Sequence, residues 1–145
     1  MKLFTDTASW KTDEHGLIAE TARKFFADTL TPEMPRYIKQ GFIDREFWQQ
    51  AGAQGLMGGS VPVAYGGAGG DMSFDATVLY EIAASGNASW TYIVQGIVIH
   101  YILAFGTKAQ KQRWIPGLVS GDAVAAIAMT EPGCGSDLPA CVAKL

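Results

Sequence analysis

The densest set of chemistry-bearing side chains is Ile127-Ala128-Met129-Thr130-Glu131-Pro132-Gly133-Cys134-Gly135-Ser136-Asp137-Leu138. The small and branched apolar residues Ala123 to Met129 read as a buried strand, and it runs directly into a turn. Two glycines bracket Cys134, and hydroxyls stand at Thr130 and Ser136. Hydroxyls that donate and accept, beside backbone N–H groups exposed by glycine, suit the polar rim of a flat heterocycle or an esterified phosphate. A plain strand-end turn on Pro132-Gly133 accounts for the same residues.

Other chemistries find less support. His15 and His100 are far apart and neither has a second ligand at helical spacing, so each reads as a surface or core histidine rather than part of a metal centre. There is no G-x-S-x-G elbow, and neither Cys134 nor Cys141 has a histidine close in sequence. Paired carboxylates are hard to place, because Gly52 to Gly106 contains only Asp71, Asp75 and Glu81 as charged groups. Gly52 to Gly70 holds eight glycines, far too many for a helix at ~1 kcal/mol each against Ala. That loop is no phosphate cradle: no Gly-Lys-Ser/Thr follows, and Met72 stands where the third Gly of G-x-G-x-x-G belongs.

These groups need elements to position them. With 145 residues, 48% of them hydrophobic and 17% charged, the chain is long enough to bury a core without staples. A net charge of −3 offers no basic footprint for nucleic acid. Two cysteines suggest a reducing compartment, and Met1 to Trp10 does not read as a signal or transit peptide, so a cytoplasmic location is expected. Ile82 to Thr107 carries no charge, but Ser85, Gly86, Asn87, Ser89, Gln95, Gly96 and His100 interrupt it, which favours a helix buried in protein over a membrane span.

Thr12 caps an amphipathic helix from about Asp13 to Thr29, with Leu17, Ile18, Ala22, Phe25, Phe26 and Leu30 in one stripe. Thr31-Pro32 restarts the chain in a short helix, and Asp44 caps a third with Phe47, Trp48 and Ala51 inward. Asp71 or Ser73 opens the next helix, to about Ser85, and the charge-free helix follows, ending at Gly106. Thr107 caps a last, basic helix with Trp114 and Ile115 turned inward. The expected fold is mainly α: helices over residues 1–121, then over 122–145 the start of a β domain that does not close within the chain.

Ala128-Met129-Thr130-Glu131-Pro132-Gly133-Cys134-Gly135-Ser136-Asp137 closely resembles the flavin-contacting signature of the acyl-CoA dehydrogenases. Val61-Pro62-Val63-Ala64-Tyr65-Gly66-Gly67-Ala68-Gly69 is similar to that family's Gly-rich turn, Glu81-Ile82-Ala83 to the helix after it, and Gly106 to Gln112 to the helix before the strand. The resemblance runs in register from about residue 12 to 138, with wording nearest to the long-chain members. It implies an N-terminal orthogonal helical bundle ending in the first strand of a β-barrel domain.

It further implies FAD as cofactor, an acyl-CoA substrate oxidised to its trans-2-enoyl form in fatty-acid β-oxidation, electron-transferring flavoprotein as acceptor, and a homo-oligomeric complete enzyme. Carried over by residue, Ile127, Ala128, Met129, Thr130, Gly135 and Ser136 would lie along the flavin, Thr130 bonding the isoalloxazine edge. Ser136 would meet the pyrophosphate region and the pantetheine arm, while Ile93, Val94 and Ile97 would wall the acyl-tail pocket. Three departures stand out: Cys134 where the family has a small Ala, Gly or Ser, divergence after Asp137, and the absence from these residues of the segment that carries the family's general-base Glu. Glu131 belongs to the flavin turn and is not that base, so this chain alone is expected to lack turnover. Two alternatives keep the same fold: a non-catalytic helical binding or dimerisation module, and a flavin oxidase or monooxygenase.

Overall fold

The computed structural model describes residues 9–87, 89–133 and 135–137. Among them run six α-helices: α1 (Asp13–Phe25), α2 (Met34–Gln40), α3 (Arg45–Ala53), α4 (Met72–Ala84), α5 (Tyr92–Phe105) and α6 (Lys108–Ser120). The mainly helical expectation is met.

Local chemistry sets the helix ends. Thr12 caps α1, and His15 takes the role that Glu or Gln has in a capping box, its Nδ1 accepting from the Thr12 N–H at 3.0 Å. The Asp71 carboxylate accepts from the Ser73 N–H at 2.8 Å and starts α4, while Thr107 and Gln110 cap α6 reciprocally. Asp44 sits at the N-cap of α3 as expected, but its carboxylate makes no cap bond. It is taken by Arg36 at 2.6 Å and Gln40 at 2.8 Å, a charge-assisted alternative to the main-chain donor. Beyond α1 the chain continues as a π-helical turn, Phe26–Leu30. There the Thr29 hydroxyl bonds the Phe25 carbonyl, and Pro32 brings no N–H to continue the α pattern.

Two apolar clusters result. The larger joins α1, the π turn, α2, α3 and α4 through Ala22, Phe26, Leu30, Tyr37, Phe47, Trp48, Val78 and Ile82. Trp90 forms its aromatic hub, edge-on to Phe26 at 5.5 Å, to Phe47 at 5.2 Å and to Trp48 at 5.6 Å. Full burial of Phe26 or Leu30 contributes about 1.5–3 kcal/mol each. The smaller cluster joins the Gly-rich loop to α5 and α6 through Val61, Ile99, Ile115, Leu118 and Val119.

Helices α3 and α6 touch backbone to backbone. A Cβ added at Gly52 would lie 2.2 Å from the Ser120 carbonyl oxygen, and one at Gly121 2.2 Å from that of Trp48. Gly121 also takes φ +82°, closed to most L side chains, so glycine is required there twice over. The Gly-rich loop folds on itself: Ala68, Gly69 and Gly70 donate to the carbonyls of Gly58, Val61 and Gly59 at 2.8–2.9 Å.

Three expectations need correction. Trp114 is 45% exposed beneath the Arg113 guanidinium, because Ile115, Leu118 and Val119 already fill the buried stripe of α6. The charge-free helix α5 is buried on one side only. Residues 124–130 are extended but belong to no ladder, with Val124 42% and Met129 50% exposed, since no neighbouring strand among the described residues offers them hydrogen bonds.

Candidate functional site

Two outward-facing features hold the sequence-predicted site residues. The first is the segment leaving α6. Asp122 is clamped by Arg45, which donates to its carbonyl, by Gln49 at 2.9 Å and by the Ser120 hydroxyl at 2.8 Å. The Gln49 bond, then the Ser120 bond, holds the Asp122 carboxyl below its ordinary 3.8. Gln95 of α5, 1% exposed, then fastens the next residues: its Nε2 donates to the carbonyls of Leu118 at 2.8 Å and Ala123 at 3.0 Å, and its Oε1 accepts the Ala125 N–H at 2.8 Å. Ala123 and Ala125 rest on the smaller core.

Past this anchor Ile127, Ala128, Met129 and Thr130 are exposed, as are Gly135 and Ser136. Cys134 and Leu138 lie outside the described residues. Cβ atoms added at Gly133 and Gly135 would meet nothing within 4 Å. The six predicted contact residues are thus all exposed, with hydroxyls at Thr130 and Ser136.

The second feature is the outer face of α5. Ile93 is 57% exposed, Ile97 40%, Tyr101 64% and Phe105 82%, with Val94 half-buried. One turn apart along the helix, they make a continuous apolar stripe. Ile93, Val94 and Ile97 line neither the groove beside Asp122 nor the small cavity beside Ser60 and Asp75. The groove of about 450 Å³ beside Asp122 is lined instead by Gln49, Gly52, Ala53, Gly66, Pro116, Val119, Ser120 and Asp122.

Behind that face lies a polar cluster that sequence reasoning missed. Ser60, Asp75, Tyr92 and His100 converge from the Gly-rich loop, α4 and α5. Ser60 donates its hydroxyl proton to Asp75, Tyr92 donates to the other carboxylate oxygen at 2.8 Å, and His100 Nε2 stands 3.1 Å from the Ser60 oxygen and 3.6 Å from Asp75. Burial, then the Asp75 charge, pushes the Tyr92 hydroxyl well above its ordinary range. A serine beside a histidine and an aspartate suggests a nucleophile, but the proton flow is wrong: the Ser60 proton goes to carboxylate, not imidazole. The adjoining cavity of about 10 Å³ holds at most one water, leaving no room for a substrate. With 15 and 40 residues separating the partners, no local spacing announces the cluster. No group of three His, Cys, Asp or Glu among the described residues could hold a metal, and no helix there is long and apolar enough to cross a membrane.

Comparison with known proteins decides the family. Residues 12–122 match the family model described as acyl-CoA dehydrogenase, N-terminal domain. The chain belongs to the acyl-CoA dehydrogenase family. It is 40% identical over 126 residues to the mouse long-chain specific acyl-CoA dehydrogenase, covering 86% of the chain and 29% of that relative. It therefore spans under a third of the relative's length. The fold matches acyl-CoA dehydrogenase from Geobacillus kaustophilus with a TM-score of 0.85 at 35% identity, over 92% of this chain and 36% of that one. A Bacillus anthracis acyl-CoA dehydrogenase complexed with FAD matches at 0.74 and 30% identity, over 97% of this chain and 24% of that one. Both site features are exposed surfaces.

Proposed function

We propose that this chain is the N-terminal part of an FAD-dependent acyl-CoA dehydrogenase, carrying one edge of the flavin site and one wall of the acyl site. The observation that carries the reading is that one helix, α5, presents Ile93 and Ile97 outward while its Gln95 holds Ala123 and Ala125, from which the exposed residues Ile127 to Thr130 continue. The FAD complex of the Bacillus anthracis relative supports the choice of cofactor.

FAD when bound supplies the hydride acceptor for α,β-dehydrogenation of an acyl-CoA thioester to its trans-2-enoyl product. In this reading Thr130 donates its hydroxyl to the rim of the flavin, and Ile127 to Met129 lie along the ring by their backbone. Ser136 meets the pyrophosphate region and the pantetheine arm. Ile93, Val94 and Ile97 exclude water from the acyl tail, burying it against a surface free of charge. None of the 145 residues is the general base in this scheme. Fatty-acid β-oxidation, a cytoplasmic location, transfer of electrons to electron-transferring flavoprotein, residues 1–121 and 122–145 as separate domains, and a homo-oligomeric complete enzyme complete the proposal.

Titrating FAD with the 145-residue chain and following flavin fluorescence tests it. Quenching that Thr130→Ala and Ser136→Ala weaken is expected, without acyl-CoA-dependent dye reduction. Absence of any flavin binding would favour a helical binding module, and robust dye reduction would overturn the assignment of the base to residues outside this chain.

A further inference from the structure

Helix α5 presents a packing problem that its apolar residues do not solve. Ile93, Val94, Ile97, Val98, Ile99, Ile102 and Leu103 are spread around the helix, so turning it about its axis exchanges one isoleucine for another at little change in buried apolar area. Hydrophobic burial is non-directional and leaves the rotation weakly specified. Polar groups are directional, and those of α5 share one side. At about 100° per residue, Tyr92, Gln95 and Ile99 fall within one buried arc, His100 lies on the flank between that arc and Ile93, and Ile97 and Tyr101 lie opposite the arc.

We propose that Asp75 is a positioning residue that fixes the rotation of α5 and so determines which of its faces is presented outward. Its carboxylate, with a side chain only 12% exposed, accepts from Tyr92 at 2.8 Å and from Ser60, and lies 3.6 Å from His100. Tyr92 and His100 stand two turns apart on α5, so a single α4 side chain registers both ends of that span. Ser60, itself 3.1 Å from His100, ties the Gly-rich loop to the same point. Any other rotation carries Tyr92 and His100 away and leaves a nearly buried carboxylate short of donors, a far greater loss than any exchange of isoleucines. That the outward face is an acyl wall rests on the function proposed above; the rotation itself does not.

The test reads rotation with no acyl group present. In the 145-residue chain with Cys134→Ser and Cys141→Ser, a reporter thiol is introduced by Ile97→Cys or, separately, by Ile99→Cys, sites 40% and 3% exposed. The first is expected to react with a water-soluble thiol reagent about tenfold faster or more, because reaction at the second requires local opening. Adding Tyr92→Phe or Asp75→Asn should reduce that ratio several-fold while far-UV circular dichroism keeps its helical content. Asp75→Ala should reduce it further. Thr77→Val is the control: it removes another buried α4 hydrogen bond, to the Ser73 carbonyl and not to Tyr92 or His100, and should leave the ratio unchanged. A ratio unmoved by both Tyr92→Phe and Asp75→Asn, or moved equally by Thr77→Val, would overturn the proposal. Flavin titration of the same variants separately reads the functional assignment.

Discussion

Replacing Gln95 by Leu isolates the link between the helical unit and the proposed flavin strip. Gln95 is 1% exposed and makes three hydrogen bonds, to the Leu118 and Ala123 carbonyls and from the Ala125 N–H. At a net ~1 kcal/mol each, their loss amounts to about 3 kcal/mol. Leu adds apolar burial worth about 1.5–3 kcal/mol, so global stability should fall by only ~0–1.5 kcal/mol. The local effect is not offset in this way, because leucine restores nothing to Ala123 or Ala125. Three lost bonds correspond to about a hundredfold faster amide exchange at Ala125, every ~1.4 kcal/mol being tenfold. Hydrogen exchange by mass spectrometry, with urea unfolding in parallel, separates the two effects. Gln95→Glu keeps the acceptor for Ala125 but turns a negative charge on two carbonyls, and should be the more destabilising globally. Unchanged exchange across 122–130 in Gln95→Leu would refute the view that this side chain holds the segment.

Gly121→Ala meets both a +82° φ and the Trp48 carbonyl, and should cost at least ~2 kcal/mol, seen as a fall of roughly 6 °C in Tm by calorimetry. Acid should unfold the protein partly through Asp44, Asp71 and Asp122, whose carboxyls are held below their ordinary 3.8 by hydrogen bonds from Arg36, Ser73 and Gln49 respectively. Depressed carboxyls contribute stability above the unfolded value and lose it as pH falls through the folded one. Urea midpoints should therefore be flat in these groups near neutral pH and decline below about pH 4, less steeply in Asp122→Asn. His15, whose Nδ1 accepts from a backbone N–H, must carry its proton on Nε2 when neutral, donating to Ser73 Oγ at 2.7 Å. Nitrogen NMR shifts of the imidazole check that tautomer.

Much of this was legible in the chain itself because it depends on neighbours in sequence. Caps at Thr12, Asp71 and Thr107, the inward trio Phe47, Trp48 and Ala51, and the absence of an α-helix between Gln54 and Gly70 follow from spacing and propensity. The motif from Ala128 to Asp137 likewise announced the family before any geometry was known.

Tertiary structure decided the rest, in each case through partners distant in sequence. Apolar character alone suggested that α5 is buried throughout and that 123–129 is a buried strand; burial and pairing need neighbours, and here one side of each has none among the described residues. His100 reads in sequence as an ordinary histidine, yet the fold sets it against Ser60 and Asp75, 40 and 25 positions away. Local residue order determines which helices form and which motif the chain carries. How the most apolar of those helices is turned, and what it presents to the proposed acyl site, depends on directional bonds that exist only once α4, α5 and the Gly-rich loop have packed.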